Sequence, residues 1–129
     1  MILTKGVIRA DLIAARQAIA FFDEKQLRAI KNVAAYHLQQ AAEKLIKIQI
    51  YANCSPVSNS QLYTHNIQRL IVYADSLGFG VVIPDYVREH SLQITEWEVG
   101  SRYDVQFSVR IDVLKKALAV IAEWEHRIR

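Results

Sequence analysis

EKQLRAIKNVAAYHLQQAAEKLIKIQIYAN, residues 24–53, contains no Pro or Gly and sets Leu27, Ile30, Ala34, Leu38, Ala41, Leu45 and Ile48 three or four residues apart. That spacing is the period of a helix. Asp23 stands where an N-cap or a first-turn acid would receive the orphan N–H groups. Ala, Leu, Gln, Lys and Glu fill the interior, so propensity agrees with pattern. A helix of roughly 28 residues spans about 42 Å, long for a small domain, and is expected to be the rod against which the other helices pack. Ala35, Ala42, Ile46 and Gln49 widen the apolar stripe and predict neighbours on more than one side. His37, Gln40, Lys44, Lys47 and Tyr51 share another face. Two readings fit it: a solvated side whose lysine stems cover apolar neighbours, or a strip facing an anion or nucleotide. Glu43 and Lys47 form an ordinary helix-stabilising pair.

Working outward, residues 1–6 read as a tail. Residues 7–22 carry Ile8, Leu12, Ala15, Ile19 and Phe22 at helical spacing, and a tight connection at Asp23 predicts an antiparallel pair with the long helix. Residues 54–64, rich in Ser, Pro and Asn, read as a loop. Thr64 is the expected cap of a third helix over residues 65–77, stopped by Gly78 and Gly80. The Gly78-Phe79-Gly80 turn lacks the spacing of a phosphate loop. Val81, Val82 and Ile83 are expected to pack before a fourth helix that starts with Pro84 in its first turn and runs to about Val99. Its packing residues are Tyr86, Val87, Leu92 and Trp97, and Gly100 is expected to end it. Residues 101–109 alternate Tyr103, Val105, Phe107 and Val109, a strand-like pattern without a partner, read here as an extended connector. Residues 112–126 form the last helix, burying Val113, Leu114, Ala117, Leu118, Ile121 and Trp124. The expected architecture is all-α, a single domain over residues 1–129, built as an up-and-down antiparallel bundle of about five helices.

Composition narrows the class. A chain of 129 residues with 52% hydrophobic content suits one domain with a real core, and disorder is not expected. The net charge of +3 is too small to mark a nucleic-acid binder. Cys54 stands alone, so no internal disulfide is expected. No apolar run approaches a membrane span, and Arg9, Asp11 and Arg16 interrupt the apolar start, so a cytoplasmic protein is the default expectation. His37, His65, His90 and His126 fall on four different predicted helices without the close spacing of a zinc site. Neither a metal nor a cofactor is expected, and no Ser-His-Asp setting for a nucleophile is visible.

YHLQQAAEKLIKIQIYAN at residues 36–53 resembles the signature helix of the HEPN family, the higher-eukaryote and prokaryote nucleotide-binding helical bundles. HNIQRL from His65 resembles that family's next helix, and SRYD at residues 101–104 resembles the segment before its last one. The resemblance spans roughly residues 7–127. It implies a homodimer, a minimal nucleotidyltransferase as partner in a toxin–antitoxin-like pair, and in some members a nucleotide or RNA ligand. It also implies a nucleotide site at Lys44, Lys47, His65, Arg102 and Tyr103, with cations for phosphates and a ring for a base. For Arg102 a structural ion pair fits equally, and for Tyr103 simple packing. Active HEPN ribonucleases carry an arginine followed a few residues later by a histidine, a phosphate clamp beside a proton carrier. That spacing is missing here: Arg88 and His90 cannot share a helix face, and Arg102 and Arg110 are followed by no histidine before His126. The expectation is therefore a non-catalytic HEPN-like protein, with no catalytic residue assigned, that binds a nucleotide or a nucleotidyltransferase. A ribonuclease toxin with an atypical active site and a pure protein-interaction module stand as alternatives.

Overall fold

The computed structural model describes residues 3–53, 58–78, 80–103 and 107–128, with the backbone only at residues 102 and 103. Among these residues the fold is all-α, with seven helices and no strand. They are α1 (Lys5–Lys25), α2 (Ile30–Asn53), α3 (Asn59–Leu62), α4 (Ile67–Ser76), α5 (Asp85–Glu89), α6 (Ser91–Tyr103) and α7 (Ile111–Arg127). The central rod is α2, which packs on α1, α4, α6 and α7. Its apolar residues Ala34, Leu38, Ala41, Leu45 and Ile50 are fully buried, and Ala35, Ala42 and Ile46 are buried beside them. Both apolar sides read from the sequence are therefore in use.

The expected count of about five helices and a strict up-and-down order are not confirmed by this packing. Two single-turn helices, α3 and α5, raise the number, and α2 touches helices that do not neighbour it in sequence. Lys5 reaches the Ile128 carbonyl, Arg9 pairs with Glu125 at 2.6 Å and Asp23 with Lys115 at 2.9 Å. Partner numbers fall as α1 advances, so α1 and α7 run antiparallel.

Several boundaries differ from the sequence reading. Thr4 caps α1 by accepting from Val7 N, so the helix begins at Lys5, inside the expected tail. At its other end α1 continues through Asp23 to Lys25. Gln26 then turns left-handed at φ 56°, with its N–H on the Phe22 carbonyl, and the chain re-enters a helix at Ile30. Asp23 thus spends its carboxylate on Lys115 instead of capping α2, and Leu27 lies 52% exposed outside the core. Asn66, not Thr64, caps α4, and α4 ends at Ser76. The fourth expected helix is two, because the chain breaks at His90 between α5 and α6. Leu92 then faces outward at 59% exposure, while Val87 and Trp97 are buried as expected.

Gly100 does not end α6; the helix runs on to Tyr103, so residues 101–103 are not extended. The Phe107 ring occupies the place that a side chain at position 100 would take. Glycine is there for close packing, and only 107–110 connect without regular structure, residues 104–106 lying outside the described set. Gln49 fastens another connector: its amide donates to the Val82 carbonyl at 2.9 Å and accepts from Val82 N at 2.7 Å. Trp124 Nε1 joins the same carbonyl at 2.8 Å. Arg88 forks onto Asp75 at 2.9 and 3.0 Å, tying α5 to α4 and holding that carboxyl below its usual range by hydrogen bonding. No helix of the described residues is long and apolar enough to cross a membrane.

Gly100→Ala is expected to lower stability by about 1–3 kcal/mol in urea unfolding, because the overpacking against Phe107 outweighs the gain in helix propensity. Asp75 loses its proton more readily folded than unfolded, so its contribution is present above the ordinary value of 3.8 and fades as pH falls below it. Asp75→Asn is expected to cost under about 1 kcal/mol at pH 7 and nothing at pH 2, read as thermal midpoints across that range.

Candidate functional site

Two carboxylates inside the bundle organise the polar face of α2. Asp11 lies on the buried stripe of α1, between Ile8 and Ala15, and is 7% exposed. Its Oδ1 meets His37 Nδ1 at 2.8 Å and its Oδ2 receives Lys44 Nζ at 2.6 Å. Glu43, on α2, is 4% exposed. Its Oε2 takes Lys47 Nζ at 3.1 Å, while Oε1 takes His65 Nδ1 at 2.8 Å and Gln39 Nε2 at 3.1 Å. A buried carboxylate needs such donors, since desolvation penalises an unpaired charge by several kcal/mol. The reading of this face as a solvated side therefore fails: the Lys44 and Lys47 side chains are only 16% and 17% exposed.

The segment before α4 is held rigidly over this face. Gln39 Nε2 donates to the His65 carbonyl at 2.9 Å, and Gln40 Nε2 supports Gln39 at 2.7 Å. Thr64 Oγ1 accepts from Asn66 N, Asn66 Oδ1 accepts from Arg69 N, and Thr95 Oγ1 on α6 accepts from Ile67 N at 2.9 Å. Leu62, 2% exposed, anchors α3, and Tyr73 OH accepts from Ser58 N at its start.

Between this segment and α2 lies an open cavity of about 460 Å³. Gln40, Glu43, Lys44, Lys47 and Tyr51 form the α2 wall; Asn59, Leu62, Tyr63, Thr64 and His65 form the other, and Leu3 closes one side. With Glu43 ionised, the proton of neutral His65 sits on Nδ1. Nε2 makes no hydrogen bond among the described residues, and the side chain is 63% exposed at the cavity. Tyr63 is 92% exposed, and Tyr51 is half exposed. The cavity thus combines cations, one oriented imidazole and two accessible rings.

Of the five sequence-predicted site residues, Lys44, Lys47 and His65 meet in this cavity. Arg102 and Tyr103 end α6, and their side chains lie outside the described residues. Arg88 and His90 do not form a catalytic pair: Arg88 is on Asp75, and His90 Nδ1 lies 2.8 Å from the Tyr86 carbonyl. Burial pushes the Tyr86 phenol up, and its ring stacks on His90. Among the described residues no group of three or more His, Cys, Asp or Glu could hold a metal ion.

Sequence reasoning missed Asp11, Gln39 and Tyr63. An acid on an apolar helical stripe was a usable signal for Asp11, since only a buried counter-charge makes that position tolerable. Tyr63 had none, because a lone loop tyrosine has no period. No family model, curated protein or solved structure matches the chain.

Lys44→Ala and Lys47→Ala are expected to cost about 1–3 kcal/mol each in urea unfolding, above the roughly 0.5 kcal/mol limit for a solvated surface site. The larger loss is expected for Lys44, since Asp11 would keep only His37 while Glu43 would keep Gln39 and His65.

Proposed function

We propose that this chain is a nucleotide-binding helical bundle of HEPN type, acting as a non-catalytic component beside a nucleotidyltransferase. The observation that carries the binding reading is the cavity itself, where Lys44, Lys47 and His65 stand near the rings of Tyr51 and Tyr63. A nucleotide needs both chemistries: positive charge for its phosphates and an aromatic face for its base. A cavity of about 460 Å³ has the size of a small-molecule site. The transferase partner, the toxin–antitoxin-like setting and the homodimer rest on the resemblance carried by residues 36–53, 65–70 and 101–104. Light scattering on the purified chain tests the homodimer.

A second reading, RNA cleavage at an atypical site, is favoured by the Glu43–His65 pair. A carboxylate on Nδ1 leaves Nε2 to accept a proton from a substrate hydroxyl. Loss of RNA cleavage in His65→Gln would support it, and absence of cleavage by the unsubstituted chain would remove it.

Calorimetric titration with ATP, GTP and a short RNA tests the leading reading, and Tyr63→Ala is the informative variant. Tyr63 is so exposed that its loss is expected to leave the urea midpoint unchanged, while binding weakens roughly 5- to 150-fold through lost base stacking. Flat traces for all three ligands would favour a partner-binding scaffold.

A further inference from the structure

We propose that the cavity takes up a phosphate monoester together with a proton, and that His65 is the group that receives it. This rests on the cavity being the nucleotide site proposed above, and it follows from its charges. Lys44 and Lys47 are the cations on the α2 wall, and each already faces a carboxylate, Asp11 at 2.6 Å and Glu43 at 3.1 Å. With neutral imidazoles the four formal charges cancel. An entering dianion therefore meets two cations whose field is offset by two buried anions, one of which, Glu43, lines the cavity itself.

Among the described lining residues the compensating charge has one accessible source. A tyrosine phenol carries no positive charge in either protonation state, and the lysines already contribute theirs. His37 sits on Asp11 behind Lys44, with its side chain 28% exposed. His65 lines the cavity, is 63% exposed, and has Glu43 on Nδ1. Protonation at Nε2 turns its ring into a double donor, one hydrogen on Glu43 and the other toward the cavity. The Glu43 carboxylate stabilises the imidazolium, and the imidazolium offsets the repulsion that Glu43 exerts on the phosphate. Anion and proton thus favour each other's binding, a linkage that must be reciprocal. Among the described contacts, α2 meets the His65 segment through Glu43 on Nδ1 and Gln39 on its carbonyl, and the hydroxyl of Thr95 from α6 holds Ile67 N.

The experiment is calorimetry of the full chain with adenosine 5′-monophosphate at pH 7, in two buffers of different ionisation enthalpy. The buffer dependence of the heat counts protons taken up per ligand bound. Wild type is compared with His65→Gln, so that the ligand's own titration cancels. The unsubstituted chain is expected to take up more protons than His65→Gln, and its affinity to fall up to tenfold per pH unit above neutrality, with the slope reduced in the variant. Glu43→Gln, verified as folded by circular dichroism, is expected to bind more tightly than wild type at pH 8. Equal proton counts for wild type and His65→Gln, with binding intact, overturn the proposal and leave the nucleotide reading standing. Weaker binding by folded Glu43→Gln overturns the charge account. Absence of binding by the unsubstituted chain overturns both.

Discussion

A helix buried along more than one side cannot leave its polar residues to water, and α2 is such a helix. It packs against α1, α4, α6 and α7 while carrying Gln39, Gln40, Glu43, Lys44, Lys47 and Gln49. Each must find partners inside the fold, because a buried polar group left unpaired costs more than a hydrogen bond returns. Among the described residues no buried side-chain nitrogen or oxygen lacks a partner. The ways in which that satisfaction is reached account for much of the architecture. Gln49 is the anchor that holds the Val82 backbone, Gln39 the anchor that holds His65, and Asp11 the acid that α1 supplies to Lys44.

The cavity inherits its chemistry from this requirement. Glu43 must be paired, and the groups that pair it are a lysine and a histidine from two different segments. Their shared carboxylate ties the two walls of the cavity together and orients the imidazole. The same hydrogen bonds that make the site tolerable to the core also make it rigid. Gln40 braces Gln39, Gln39 holds both Glu43 and the His65 carbonyl, and Asn66 and Thr95 occupy the N–H groups beyond. A site preorganised in this way loses little freedom when a ligand enters. Tyr63, outside that network, projects from its end and contributes surface without contributing to the core.

The all-α class and the central place of residues 30–53 were legible because a run of apolar residues at three and four admits one regular conformation. The buried stripe from Ala34 to Ile50 follows it closely. Boundaries were less legible. Asp23 has the chemistry of a cap and sits at the right distance, yet Gln26 makes the turn and Asp23 meets Lys115, a residue remote in sequence. Gly100 has the chemistry of a helix stop, yet it lies within α6 because Phe107 packs where its side chain would be.

Residue pattern was enough for the all-α class, for the two-sided burial of α2 and for placing Lys44 and Lys47 on one face, since periodicity and side-chain type are local properties; His65 entered only through the family resemblance. Folding supplied what those residues face. Whether a lysine is solvated or closed over a carboxylate depends on which acid another helix delivers to it. Asp11 lies far from Lys44 in sequence and 2.6 Å from it in space. The meeting of Tyr63, His65 and the α2 lysines in one cavity has the same origin: it comes from helix packing and from the pairing of buried charge, neither of which has a period along the chain.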